Sequence, residues 1–464
     1  MRNMIHNWQG KHVLIIGAAR QGLALARFLA RQNAQVTLND KRPADQMESA
    51  RQAMQDYPVK WALGDHDPAL LDHCDLVCLS GGVSPDLPIV QEARQRGIPL
   101  SNDSQIFMER VPCPVVGITG SAGKTTTTTL VGRMAEAGIP APRQAWVGGN
   151  IGRPLIDCID QIHPHDLVIL ELSSFQLELM TISPHIGTIL NITPNHLDRH
   201  GTLEAYTAAK ARLLDFQRSE DIAVLGYDDP GAWGLADRIK GRLLTFSLNP
   251  LPAEQSGAYL KDDCLYLRHG AEEQLLMPRR EIQLRGDHNI RNVLAACSIA
   301  SAANISINAM LKGIKDFRGV AHRLELVRNW KGAAWYNDSI ATAPERTIAA
   351  ILSFEEPIVL LLGGRDKNLP WEDLARLIHR KVDHVIVFGE SADKIIAAIH
   401  AETKETCATT IDRCSGVYAA IMKAAEIAEP GDVVLFSPGG TSFDEFKDFE
   451  ERGERFREWV NQLS

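Results

Sequence analysis

The 464-residue chain is poor in aromatic residues, at 6% of the total, and holds no apolar run approaching the ~20 residues that a membrane-spanning helix needs. A helical membrane span is therefore not expected. Positive charge is also in deficit: 49 lysines and arginines stand against 58 aspartates and glutamates, leaving a net charge of −9, and no basic tract is patterned along the chain. Nucleic-acid binding draws on clustered cations that displace counterions, so that class of partner is set aside. The eight cysteines, Cys74, Cys78, Cys113, Cys158, Cys264, Cys297, Cys407 and Cys414, are scattered and mostly embedded in apolar runs. They read as reduced core thiols. Cys74 and Cys78 lie four apart without a second pair at metal spacing, so no zinc site is expected. Residues 1–11 carry Arg2, His6 and Trp8 but lack the apolar core of a signal peptide, which predicts a cytoplasmic protein.

What the chain does have is an ordinary globular composition, 45% hydrophobic and 23% charged, at a length that predicts three domains. Its most specific local feature is Gly117 to Thr125, G-I-T-G-S-A-G-K-T, between the apolar run 114–118 and a threonine-rich helix start. That strand-loop-helix context lets backbone N–H groups converge on phosphate oxygens, with Lys124 reaching the terminal phosphates and Thr125 offering its hydroxyl to Mg²⁺. Gly117 comes one residue earlier than the common G-x-x-x-x-G-K-[ST] spacing, and Ile118 holds the expected glycine position.

The first segment opens with a strand at 12–16, a Gly17 to Gly22 turn, an apolar-periodic helix and a second strand ending at Asp40, half of a nucleotide-binding βαβ unit. Ala19 stands where a dinucleotide fingerprint has its central glycine. A nucleotide-sugar site, a plain fold element and a dinucleotide site all remain open at this point. Strands are expected at 75–80, 166–171 and 185–190, short antiparallel strands over 221–285, a long helix at 288–303 and a linker at 317–323. Beyond it, strands at 334–337, 358–362, 385–388 and 433–437 separated by helices predict a parallel doubly wound sheet. The expected fold is α/β in three domains: a Rossmann-like unit at 1–110, a P-loop ATPase unit with a mostly parallel sheet at 111–319, and a second Rossmann-like unit at 320–464.

Glu171 closes a buried strand beside the phosphate loop, where a Mg²⁺ ligand belongs. His196 follows another buried strand on a loop. Lys210, between alanines on a helix, reads from spacing alone as a surface or snorkelling lysine. No Ser/His/Asp or Cys/His arrangement suggests a covalent mechanism.

Taken together, the phosphate loop, Glu171-Leu-Ser-Ser-Phe-Gln, Asn191 to Gly201, Ala208-Ala-Lys210, Gly286 to Asn292, Ala321-His-Arg323, Asn337-Asp-Ser339, Gly363 to Lys367 and Ser437 to Lys447 resemble the Mur ligases in order and spacing. These are the ATP-dependent amino-acid-adding enzymes of peptidoglycan synthesis, and the likeness covers essentially the whole chain. The blocks at 171–176 and 442–447 resemble the branch that adds D-glutamate to UDP-N-acetylmuramoyl-L-alanine through an acyl phosphate.

The resemblance implies roles residue by residue. Gly117, Gly120, Ser121, Ala122, Gly123, Lys124, Thr125 and Thr126 would hold ATP, joined by Asn289, Arg323 and Asp338. Thr125, Glu171, His196 and a Lys210 carbamylated by CO₂ would hold two Mg²⁺ ions, making Lys124, Glu171, His196 and Lys210 the catalytic set. Arg20, Gln21, Asp40, Arg42 and Gly82 would bind the UDP moiety, which selects the nucleotide-sugar reading of the first domain. Asn150 and Ser173 would lie near the muramoyl-alanine arm. Thr342, Lys367, Ser442 and Phe449 would hold glutamate. The chain would act as a monomer on small molecules, with neither nucleic acid nor membrane as partner. It departs from the family where Ser339 is followed by Ile340 instead of the usual lysine, where Asn195 replaces an aspartate and where Gly439-Gly440 replaces Ala-Cys. A relative that adds L-glutamate and a folylpolyglutamate-synthase-like ligase are the alternatives, the latter lacking a nucleotide-sugar domain. A dinucleotide-dependent oxidoreductase or nucleotide sensor built on the first domain is the rival from another class.

Overall fold

A computed structural model describes residues 7–367, 369–402 and 409–464; Arg2, His6 and Cys407 lie outside the described residues. The chain divides into two compact units, one of residues up to Ile282 together with Asp287–Phe317, the other of Gln283–Gly286 and Arg318–Ser464.

The first unit carries two sheets. Strands β1 (His12–Ile16), β2 (Gln35–Asp40), β3 (Val59–Leu63), β4 (Leu76–Leu79) and β5 (Leu100–Ser101) pair in the parallel order β3-β2-β1-β4-β5. The central β1 is apolar because helices cover both of its faces. Helix Arg20–Arg31 buries Leu25, Phe28 and Leu29, and Gly22 lets it approach closely: a Cβ there would lie 2.0 Å from the Gly17 carbonyl oxygen.

The second sheet has nine strands: β6 (Val115–Thr119), β7 (Ala145–Gly149), β8 (Leu167–Glu171), β9 (Ile186–Ile189), β10 (Ile222–Gly226), β11 (Arg242–Ser247), β12 (Gly257–Lys261), β13 (Cys264–His269) and β14 (Glu272–Pro278), in the order β14-β13-β12-β11-β10-β9-β6-β8-β7. The expectation of antiparallel strands over 221–285 holds only from β12 to β14. Strands β10, β11 and β12 continue the parallel run from β9. The helix between β10 and β11, Pro230–Trp233, is a single turn, too short to leave a helical period in the sequence.

The second unit holds a six-stranded sheet, β15 (Glu325–Trp330), β16 (Ala333–Asn337), β17 (Ile358–Gly363), β18 (His384–Phe388), β19 (Thr410–Arg413) and β20 (Val433–Gly439), ordered β15-β16-β20-β17-β18-β19. Only the β15 edge is antiparallel. Buried β17 and β20 form its middle, so their carboxyl ends and that of β16 present loops 338–342, 364–367 and 440–448 together. Among the described residues no helix is long and apolar enough to cross a membrane.

Candidate active site

In the first unit, the loop between β6 and helix Lys124–Gly138 turns through Gly123 at φ +81°, where a Cβ would sit 2.2 Å from Asn292 Oδ1. Only glycine fits both demands. Asn191, just after β9, stitches the loop down: its Oδ1 accepts from the Ala122 amide at 2.8 Å and its Nδ2 donates to the Ala122 carbonyl at 3.1 Å. Ser121 and Thr193 exchange a second pair of bonds, each 3.0 Å. The Lys124 ammonium folds back onto the carbonyls of Gly120, at 2.8 Å, and Ser121, at 3.3 Å. Thr126 is buried on the first turn of the helix. Asn289 meets the loop through Asn292, which donates to it at 3.2 Å.

Glu171, buried at the end of β8, is gripped from both sides: the Thr125 hydroxyl donates to Oε2 at 2.8 Å, and Asn150 Nδ2 donates to Oε1 at 2.9 Å. Asn150 in turn lends its carbonyl to Arg20 Nη2 at 3.2 Å. The carboxylate thus stands beside the phosphate loop and within two bonds of the first sheet.

Lys210 is not on the surface. It is only 1% exposed, its ammonium donating to the Gly120 carbonyl at 2.9 Å and Thr119 Oγ1 at 3.3 Å and lying 4.6 Å from the centre of the Tyr206 ring. Tyr206, Lys210, Leu213 and Leu214 form one helical stripe that packs inward, and the alanines beside Lys210 let the helix approach the sheet. Burial, then the nearby Lys124 charge, pushes the Lys210 pKa well below the ordinary lysine value, with Glu171 opposing only in part. The Tyr206 hydroxyl donates to Ser121, so this side chain links the lysine to the loop.

His196 stands at the start of helix Leu197–His200 with φ +53°, its ring edge-on to Phe175 at 5.1 Å and 6.5 Å from Tyr206. A Ser/His/Glu chain, unforeseen from sequence, does exist: His200 Nε2 lies 2.9 Å from Ser174 Oγ and its Nδ1 3.2 Å from Glu178. Ser174 is buried, and the chain ties the short helices Ser174–Leu177 and Leu197–His200 together. Ser173 caps the former through a capping box with Gln176. Arg199 reaches the first sheet's loop, donating to Ser84 Oγ at 2.8 Å and the Val83 carbonyl at 2.9 Å.

At the carboxyl end of the first sheet, Arg42 forks onto Asp40, Nε to Oδ1 at 2.9 Å and Nη2 to Oδ2 at 2.8 Å, while the Ala18 amide donates to Oδ2. The Arg42 hydrogen bonds hold the Asp40 pKa at about 2. Asp40 is therefore committed to shaping the Gly17 to Gly22 turn and to fixing Arg42. Gln21 accepts from the Gly81 amide at 3.3 Å, drawing Gly82 to the same rim.

In the second unit, Asp338 is buried after β16, accepting from Ser437 Oγ at 2.8 Å and the Leu324 amide at 3.2 Å. Burial pushes its carboxyl up to about 7. Arg323 lies one residue before Leu324. Lys367 donates to Thr342 Oγ1 at 3.3 Å, and the Phe449 carbonyl accepts from Ser339 Oγ at 2.8 Å. Ser442 is buried in the loop after β20. Sequence reasoning missed Arg452, which lies 1% exposed on helix Phe449–Gln462 and clamps Ser339 and Gly440. In sequence it stands among Glu450, Glu451 and Glu454, so no local apolar pattern marks it as buried.

Three family models match in succession: the Mur ligase MurD-like N-terminal domain over residues 11–102, the Mur ligase middle domain over 118–300 and the Mur ligase glutamate ligase domain over 322–440. The UDP-N-acetylmuramoylalanine–D-glutamate ligase of Symbiobacterium thermophilum is 39% identical, the alignment covering 97% of this chain and 98% of that protein; the one from Koribacter versatilis is 37% identical, covering 98% of each. Among solved structures, UDP-N-acetylmuramate-alanine ligase MurC from Thermotoga maritima shares the fold with a TM-score of 0.57 and 18% identity, over 97% of this chain and 99% of that one. A pseudomurein peptide ligase type C from Methanothermus fervidus gives 0.55 and 18%, over 98% and 100%. A phosphate loop backed by Glu171 and a buried Lys210, carried on these domains in this order, has one family context: the chain belongs to the Mur ligases.

Proposed function

We propose that this protein is an ATP-dependent ligase that joins D-glutamate to UDP-N-acetylmuramoyl-L-alanine in peptidoglycan precursor synthesis, acting as a cytoplasmic monomer. Residues 1–110 would bind the nucleotide sugar, 111–319 ATP, and 320–464 the amino acid. The observation that carries the reading is the buried Lys210 ammonium beside the phosphate loop, with Thr125 and Glu171 paired next to it.

Amide formation from a carboxylate in water is uphill, so the alanyl carboxylate attacks the γ-phosphorus of ATP, giving an acyl phosphate and ADP. The glutamate amine then attacks the acyl carbon and inorganic phosphate departs. Lys124 would exchange its Gly120 and Ser121 carbonyls for phosphate oxygens, stabilising the charge that builds there. Thr125 and Glu171 supply the hard oxygen donors that suit Mg²⁺, and His196 would complete the set. When bound, Mg²⁺ neutralises charge on the transferring phosphoryl group. An ammonium at Lys210 does not fit that role. Its depressed pKa favours the neutral amine that CO₂ carbamylates, which turns the side chain into an oxygen donor. Arg20, Gln21, Arg42 and Gly82 would hold the UDP moiety, Asn150 and Ser173 the muramoyl-alanine arm, Asn289, Arg323 and Asp338 the nucleotide, and Thr342, Lys367, Ser442 and Phe449 the glutamate.

The alternative reading is a family member that adds L-glutamate; Ile340, where the family resemblance expects a lysine, bears on the geometry of the amino-acid site and does not select an enantiomer. ADP release and product formation by the purified protein with UDP-N-acetylmuramoyl-L-alanine, ATP and either D- or L-glutamate decide between them. ADP release that needs neither acceptor nor glutamate would sink both.

A further inference from the structure

Three cationic side chains hang from one turn in the second unit, Ser339 to Thr342. Arg452 donates from Nε to Ser339 Oγ at 3.0 Å and from Nη2 to the Ser339 carbonyl at 2.8 Å; Arg346 Nη1 donates to the Ile340 carbonyl at 3.2 Å; Lys367 Nζ donates to Thr342 Oγ1 at 3.3 Å. Among the described residues none of the three has a carboxylate within 4 Å. They differ in what they can still do. Arg452 is buried and spends its guanidinium on protein oxygens, the Gly440 carbonyl included. Arg346 and Lys367 face solvent with most of their donors uncommitted. They also repel each other: Arg346 is among the charges that, after burial, lower the Lys367 pKa. Two like charges held at one turn favour a ligand that brings two negative charges.

We propose that Arg346 is a specificity-determining residue for the incoming amino acid, its guanidinium donating to one of the two glutamate carboxylates while Lys367 takes the other; this rests on the glutamate-ligase reading above. A planar fork matches a carboxylate in two parallel bonds, which a lysine cannot do. Arg346 lies on the first turn of helix Pro344–Ile351, so a firm element aims it, and its bond to the Ile340 carbonyl holds it over the turn. The arginine thereby supplies the positive charge that Ile340 itself cannot.

The test is steady-state ADP release by the wild type, Arg346→Ala and Arg346→Lys, with glutamate, glutamine and alanine as amino-acid substrates. Arg346→Ala should raise the KM for glutamate about 10- to 100-fold, the worth of a charge-assisted pair, while the KM values for ATP and the UDP-linked acceptor stay within about twofold. The preference for glutamate over glutamine should fall by a similar factor, and Arg346→Lys should recover part of both losses. Because the side chain is exposed, its removal leaves the fold intact, which an unchanged melting temperature verifies. An unchanged KM for glutamate overturns the proposal, and so does a rise confined to the KM for ATP, which would place the guanidinium on phosphate. A wild type whose ADP release ignores glutamate would instead refute the underlying ligase reading.

Discussion

Lys210→Met should make the protein more stable and nearly inactive. Methionine keeps the length and apolar stem of the side chain in its closed site while removing the ammonium. Burying such a charge costs several kcal/mol after relaxation, and the bonds to Thr119 and Gly120 return about 1 kcal/mol each. The net expected gain is about 1–3 kcal/mol near pH 7. The sign with pH follows from linkage. The folded-state pKa is depressed below the unfolded value of 10.5, so between the two the unfolded chain binds more protons and stability rises with pH. Wild-type stability should climb from neutral pH towards pH 10, and the methionine variant should lose that slope. The assay is calorimetric melting between pH 6 and 9.5, following the transition that ATP shifts upward, in buffers with and without bicarbonate. Ligase activity of the variant should drop about 100-fold or more, because an oxygen donor is missing beside Glu171. Lys210→Ala, which leaves room for a small anion, should be partly rescued by formate or acetate. A methionine variant that melts lower than wild type at every pH, or keeps its activity, would refute the reasoning.

Gly123→Ala forces a Cβ onto Asn292 Oδ1 at a left-handed backbone position, so ATP binding measured by calorimetry should be lost while the neighbouring sheet stays folded. In the second unit, the carboxyl of Asp338 titrates near 7 against 3.8 unfolded, so the folded state holds its proton more tightly. That contribution is complete below about pH 4 and is lost as the pH rises through 7; Asp338→Asn should flatten this fall, about 2–4 kcal/mol in all, in urea unfolding followed at pH 4, 6 and 8.

The parallel sheets were legible because their central strands are unbroken apolar runs. β6, β8, β17 and β20 are buried along their whole length and are mostly apolar, and in β6 and β8 the last residues, Thr119 and Glu171, are polar and stand beside the phosphate loop. The edges were not legible for the same reason in reverse: β3, β15 and β19 are half exposed, so no apolar run announces them. Lys210 shows how a site residue hides. From spacing it reads as a surface or snorkelling lysine, because burying the charge is expensive, whereas the structure sets it on the buried stripe with Tyr206, Leu213 and Leu214. Here the stem has no route to water, since the alanine-flanked helix packs too closely against the sheet. Arg452 repeats the case in the second unit, a buried cation whose neighbours are glutamates in sequence but whose partners in space are the Ser339 and Gly440 oxygens. The two cations do opposite things with their burial. Arg452 stays charged: burial lowers it only to about 10 against the attraction of Asp444 and Glu445, and its donors are spent on three protein oxygens, so it can only brace the turn that carries Ile340 and Thr342. Lys210 is driven towards the neutral amine by burial and then by the repulsion of Lys124, which its two oxygen partners do not offset, and a neutral amine is the form that can be chemically converted.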